Sequence, residues 1–336
     1  MGARPTMIDV ASVAGVSLKT VSRVVNGEPN VSAETITVVE AAIRQLGFKP
    51  NDLARSLRQG HTSSTLGLVT EDIANPFYSQ IARGVEEVAG QHGFMLITGS
   101  SEEHAERERK LIRALVRRRV DALLIVPARG NHAYLRGELG DGTPTVFVDR
   151  PPVGYQADSV LLDNRGGARR AVEHLLAHGH RRIGLISGFE DVYTGAERFA
   201  GYRDALRSAG LPIDERLLRV NRHDTHAAAG AAHELLALPD PPSAMFTLNN
   251  RLTIGALQAL WSQNAPTALV GFDDFELADL VPTPVTVIRH DPIEMGRRAA
   301  RLVFDRLAGD TSGVQVVTLP VQLVPRGSGE LPPPPA

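Results

Sequence analysis

Three groupings of side chains in this sequence could do chemistry. In HLLAHGH, His174 and His178 lie one helical turn apart with His180 just beyond, a spacing open to metal ligation. The only adjacent carboxylate is Glu173, so ordinary structural histidines are the expectation and no metal is called for. Asp273 and Asp274 are neighbours in GFDD. Adjacent residues on a strand point to opposite faces, which suits binding better than paired acid–base catalysis. Third, the short segment SLKTVSR carries Ser17, Leu18, Lys19, Thr20 and Arg23 as a polar, donor-rich face. Hydroxyls set register on phosphates, and an arginine fork matches the two acceptors of a guanine edge. The chain has no G-x-S-x-G, Walker loop or dinucleotide fingerprint, so neither catalytic residues nor a cofactor are expected.

The elements that must position the donor-rich face are helical. Ile8, Val10, Ala11 and Ala14 recur at helical spacing, and Gly15 supplies a turn. Ser17 suits the cap of a second helix with Val21, Val24 and Val25 inward, ended by Asn26-Gly27. Ser32 caps a third, with Ile36, Val39, Ala42, Ile43 and Leu46 as its buried stripe and Gly47 as its stop. Two helices joined by a tight turn and propped by a third describe a helix-turn-helix. A plain three-helix bundle without a nucleic-acid role has the same pattern. The polar face, short enough to enter a major groove, favours the first.

After residue 61 the pattern changes. TLGLVT, FMLITGS, DALLIVPA, TVFVDR, SVLLDN, RIGLISG, SAMFTL and TALVGFDD are short apolar runs separated by helical segments. The expected fold class is α/β, with parallel, doubly wound sheets covered on both faces and enough length for two lobes. Ligands of such sheets bind beyond the strand C-terminal ends. SEEHAERERKLIRALVRRR reads as a helix with Leu111, Ile112 and Leu115 inside and a solvated charged face.

Bulk properties bound the rest. The 336 residues are 43% hydrophobic and 22% charged, those of an ordinary globular protein. Cysteine is absent, which excludes disulfides and thiolate metal sites. Of 36 Lys/Arg and 38 Asp/Glu, residues 1–61 hold seven and five and the remainder 29 and 33, a mild asymmetry. No secretory signal and no apolar run near the ~18 residues of a membrane span are visible, so a cytoplasmic protein is expected.

The order IDVASVAGVSLKTVSRVVNG, the third helix and the basic segment NDLARSLRQG resembles the DNA-binding headpiece of the lactose-repressor/galactose-repressor family. The resemblance implies that Leu18 and Lys19 sample discriminating bases and that Arg23 takes a guanine. Ser17, Thr20, Asn26 and Ser32 would position phosphates. It further implies that the linker forms a hinge helix in the minor groove, with Leu57 levering between base pairs and Arg55, Ser56 and Arg58 on the groove wall. Ordinary interdomain packing is the other account of Leu57.

ANPFYSQIARGVEE, VFVDRP, LLDNRGGARRAVEHLLAHGHRRIGLISG, ERFAGYRDAL, LVGFDD and LPVQLVPRGS are similar to the effector-binding core of that family, itself like periplasmic sugar-binding proteins. By position, Phe77 and Tyr78 become pocket aromatics, and Asp149, Arg150, Arg198, Asn249 and Asp273 polar ligand contacts. For each, a structural salt bridge or strand-end hydrogen bond is the plainer role. Many members carry Asn-Asp where this chain has Asn249-Asn250, which counts against a plain neutral-sugar effector.

The expected organisation is a headpiece over 1–50, a hinge over 51–61, a two-lobed core over 62–326 and a disordered tail over 327–336. No leucine heptads follow Arg326, so a homodimer is expected, suited to double-stranded palindromic operator DNA. The expected function is a transcriptional repressor under small-molecule control and no enzyme. A transport receptor shares the core fold but has no use for residues 1–60.

Overall fold

The computed structural model describes residues 5–25, 28–29, 31–48, 63–139 and 142–334. The chain divides into two compact units, Met1–Ser63 and Ser64–Ala336.

In the first unit Thr6 and Asp9 form a capping box that starts α1, Met7–Ala14. Gly15 ends it at φ 64° with its N–H on the Ala11 carbonyl. The Ser17 hydroxyl accepts the Thr20 N–H at 3.1 Å and starts α2, Leu18–Val25. Ser32 likewise caps α3, Ala33–Leu46, which closes at Gly47. Val10, Ala11, Val21, Val39, Ala42 and Phe48 form the core, with Val24, Val25, Ile43 and Leu46 packed around it. Ile36 is 36% exposed, against the buried stripe expected, and Ile8 is 67% exposed. A unit this small has too little interior to cover a whole helix stripe.

The second unit holds two six-stranded sheets built alike. The first lobe contains β1 Thr65–Thr70, α4 Pro76–Gln91, β2 Met95–Ser100, α5 Ala105–Arg117, β3 Ala122–Ile125, α6 Leu135–Leu139, β4 Thr145–Val148 and β5 Asp158–Leu162. The second contains α7 Asn164–Ala177, β6 Ile183–Ile186, α8 Tyr193–Ser208, β7 Leu218–Arg219, α9 Thr225–Leu236, β8 Ala244–Thr247, α10 Asn250–Ser262, β9 Ala268–Phe272 and β10 Thr286–Arg289. The chain then returns to the first lobe as α11 Pro292–Leu307 and β11 Val316–Leu319, and ends in the second with β12 Gln322–Val324. The orders are β11-β5-β4-β3-β1-β2 and β12-β10-β9-β8-β6-β7. All pairings are parallel except β10 with β12. Central strands such as β3 and β9 are buried throughout, which explains their unbroken apolar runs.

Helix α11 is held to the first lobe by backbone contact with α4. A Cβ added at Gly84 would sit 2.0 Å from the Ile293 carbonyl oxygen, and one at Gly296 would sit 2.1 Å from that of Ile81. Only glycine allows this approach.

Two expectations need correction. Glu108 of the charged helix is buried, 1% exposed, not solvated. Its carboxylate accepts the Ala128 N–H and, at 2.7 Å, the Tyr134 hydroxyl, which ties down the loop after β3. Residues 327–334, expected to be disordered, pack against the second lobe. Ser328 accepts the Thr286 N–H and donates to the Leu269 carbonyl, while Glu330 accepts from the Thr286 hydroxyl and contacts His174. Buried hydrogen bonds anchor a segment whose proline-rich composition alone suggests disorder.

Candidate functional site

On the first unit, Ser17, Leu18 and Lys19 stand exposed at the start of α2, with Thr20 half-buried behind them. Arg23 lies one turn on, donating to the Pro29 carbonyl at 3.0 Å and paired with Glu28 at 3.5 Å. That pair is partly solvated and so readily exchanged. Ser32 is exposed at the cap of α3. The short side chains and tight turn thus gather Ser17, Leu18, Lys19, Thr20 and Arg23 on one helix. Asn26, Arg55, Ser56, Leu57 and Arg58 lie outside the described residues, as does the expected hinge.

In the second unit a cavity of about 80 Å³ lies between the lobes, beyond the C-terminal ends of β1, β4, β6, β8 and β9. Its wall includes all of Phe77, Tyr78, Asp149, Arg150, Arg198, Asn249 and Asp273. The two lobes supply matching residues. Asp149 directly follows β4 and Asp273 directly follows β9, at φ 70° and 67°. Each N–H bonds back to the next strand, to Val160 and Ile288 respectively. The left-handed turn of each strand end brings its carboxyl over the cleft, a conformation that aspartate tolerates better than most residues.

On the second-lobe side, Arg198 donates from Nε to Asn164 at 2.8 Å and from Nη1 to Asp273 at 3.1 Å and to the Leu248 carbonyl. Its guanidinium stacks on Phe272 at 3.7 Å. Asp273 also accepts from His290 Nε2 at 2.9 Å. Burial pushes the Asp273 carboxyl up, yet Arg198 and His290 outweigh it and hold the group below the usual range. Asn249 caps α10 through Leu252, which occupies its carbonyl oxygen.

On the first-lobe side, Arg150 is enclosed. It donates to Glu71 at 2.7 Å, to the Tyr78 hydroxyl and Pro127 carbonyl at 3.2 Å each, and to Glu103. Tyr78 in turn donates to Glu71. Arg150 Nη1 and Nη2 and the Tyr78 hydroxyl are therefore committed within the protein, Arg150 Nε lies 3.4 Å from Asp149 Oδ2, and what Tyr78 offers the cavity is its ring. Burial raises the Glu103 carboxyl to about 7 despite Arg150, with Glu71 adding to the rise. For Glu71 the pull of Arg150 and Tyr78 overcomes burial, and its carboxyl is lowered. Asp149 is raised, by burial first. Asp149 Oδ1 and Glu103 Oε2 are buried with no hydrogen-bond partner among the described residues.

Sequence reading missed Glu71, Glu103, Phe189, His223 and His290. Glu71 immediately follows β1, and the rule that ligands bind beyond strand ends could have found it. Phe189 stacks with His223 at 5.1 Å and has the Arg129 guanidinium 4.3 Å from its centroid. The rim is bridged from lobe to lobe by Asp72–Arg251 at 2.6 Å and Asn250–Asn75 at 2.8 Å. Asn250, flagged for lacking the acid common in the resembled family, thus makes a neutral amide pair. The His174 and His178 rings lie 4.5 Å apart, but His174 meets Glu330, and His180 bonds Ser243 and the Leu331 carbonyl, each at 2.9 Å.

A helix-turn-helix in one unit and a two-lobed cleft in the other coincide with two family models. Bacterial regulatory proteins of the lacI family match residues 6–51, and the periplasmic binding proteins and sugar binding domain of the LacI family match 63–326. The chain belongs to the LacI family. The ribose operon repressor of Escherichia coli K12 is 34% identical, with 96% of this chain and 99% of that protein covered. The structure of the CelR–cellobiose complex is 33% identical with a TM-score of 0.72, covering 97% of this chain and 100% of that one. A Lac repressor dimer bound to operator and the anti-inducer ONPF is 27% identical with a TM-score of 0.82, covering 97% and 99%. This LacI-family chain is a sequence-specific DNA-binding transcriptional regulator under small-molecule control.

Proposed function

We propose that the regulator acts as a cytoplasmic, homodimeric repressor without enzymatic activity, whose effector is a sugar or related hydroxylated metabolite held between the lobes. The observation that carries the reading is the polar cavity between the lobes, where a buried arginine fork and strand-end carboxylates from both lobes meet beside aromatic rings. Such a lining fixes hydroxyls by paired donors and acceptors. The name of the ribose operon repressor and the cellobiose in the CelR complex support a carbohydrate-like effector.

For the DNA side, we assign base contacts to Leu18, Lys19 and Arg23 and phosphate contacts to Ser17, Thr20, Asn26 and Ser32. Arg55, Ser56, Leu57 and Arg58 are assigned to the minor groove at the centre of a palindromic operator. Ligand and DNA are linked only as far as the effector prefers one lobe arrangement over the other.

A mobility-shift titration over a salt series tests this reading. Sequence-selective binding that weakens steeply with salt is expected. Binding indifferent to sequence would reject it. A thermal-shift screen of sugars and polyols, repeated on Arg198→Ala, tests the cleft: hits should lose their stabilisation in the variant.

A further inference from the structure

We propose that the first-lobe half of the cleft is a subsite for a cationic nitrogen, so that the effector is a hydroxylated metabolite bearing an ammonium group. This deepens, and rests on, the reading of the cleft as the effector site.

The charge inventory leads there. Glu71, Glu103, Asp149 and Asp273 line the cavity against two buried arginines, Arg150 and Arg198. The remaining cations at the rim are matched: Arg251 by Asp72 and Arg129 by Asp191. His290 is bonded to Asp273 on the far side, and His223 is exposed, stacked on Phe189. Four carboxylates thus share two buried arginines, with Asp149 reaching Arg150 only through Oδ2, at 3.4 Å from Nε. Burying unmatched charge is costly unless a partner or a proton arrives.

The geometry says where the partner goes. Asp149 is 2% exposed and its Oδ1 accepts nothing from any described residue; the same holds for Glu103 Oε2. Both residues line the cavity. Two buried, unfilled acceptors in one cavity wall call for a donor-only group, and an ammonium supplies three donors with the compensating charge. A phosphate or carboxylate there would be set against Asp149 and Glu103, while Arg150 directs Nη1 and Nη2 to Glu71, Glu103 and Tyr78 and has Nε 3.4 Å from Asp149 Oδ2. About 80 Å³ is room for a group of a few heavy atoms.

Protons compete for the same place. Around Glu103 stand Glu71 and Tyr78, with Asp149 and Arg150 beside them, and the carboxyl is raised to about 7. An alkylammonium keeps its charge across this range. Cation binding should therefore strengthen as pH rises from 6 to 8.

Methylammonium chloride is the simplest probe, compared with sodium chloride at equal ionic strength by thermal unfolding of the full chain. The expected result at pH 8 is a melting temperature about 3 °C higher in methylammonium than in sodium. The difference should shrink at pH 6 and vanish in the isosteric variants Asp149→Asn and Glu103→Gln. No excess over sodium in the wild type overturns the proposal, as does an excess that survives in both variants. The cleft reading fails separately: if neutral polyols bind and lose binding in Arg198→Ala while methylammonium does nothing, the cleft stands and the cation subsite falls.

Discussion

Arg198 and Asp273 form a pair whose partners are both buried, so removing one leaves the other stranded. Arg198→Ala should cost about 3 kcal/mol of unfolding free energy as well as effector response, measured by urea denaturation. Because the Asp273 carboxyl is held below its usual value, the stability it contributes is present above about pH 4 and lost as pH falls through the lowered folded value. Glu103 behaves oppositely. Its folded carboxyl is raised to about 7, so the native state loses stability as pH rises from the unfolded value of 4.5 toward 7. Glu103→Gln should therefore match the wild type near pH 4 and exceed it at pH 8, by roughly 2 kcal/mol. A variant less stable than wild type at pH 8 would contradict this. Asp149, Arg198 and Asp273 were legible in the sequence because each belongs to a motif of the resembled family. Glu71 was marked only by its place at the end of β1, and Glu103, in the loop after β2, carries no pattern until the fold places it against Arg150.

Among the elements, the strand runs and main helices could be read from apolar periodicity, and their bounds lie within a few residues of those expected. β7, β10, β11 and β12 were not foreseen. β7 is two residues long, and β11 and β12 gain their partners only when the chain recrosses between lobes after α11. The docked tail was misread for a related reason: its stability comes from Ser328 and Glu330 reaching β9 and β10, and composition is blind to that. Truncation after Arg326 should lower unfolding free energy by about 2–4 kcal/mol, since it uncovers several buried hydrogen-bonding groups at once. At the rim, Asn250→Asp would set two acceptors face to face, because the Asn75 oxygen is fixed by the Phe77 N–H and cannot simply rotate away. Loss of that bond should weaken effector binding roughly fivefold in a calorimetric titration, with little change in fold stability.

At the level of the whole molecule, a helix-turn-helix unit for DNA is followed along the chain by a unit that carries the ligand cleft. The linker residue Leu57, if it is the operator wedge, makes a specific demand. Leu57→Ala should weaken binding to a selected operator while leaving non-specific binding nearly unchanged, and equal losses on both would argue for ordinary packing. The most direct measurement selects DNA from a random-sequence pool with the wild-type chain and with a Leu18/Lys19 double alanine variant, then titrates the winning duplex with and without a cleft ligand. The account predicts a palindromic consensus that changes in the variant, and an affinity for it that responds to ligand in the wild type but not in Arg198→Ala. An unchanged consensus in the variant, or a ligand response that survives in Arg198→Ala, would contradict it.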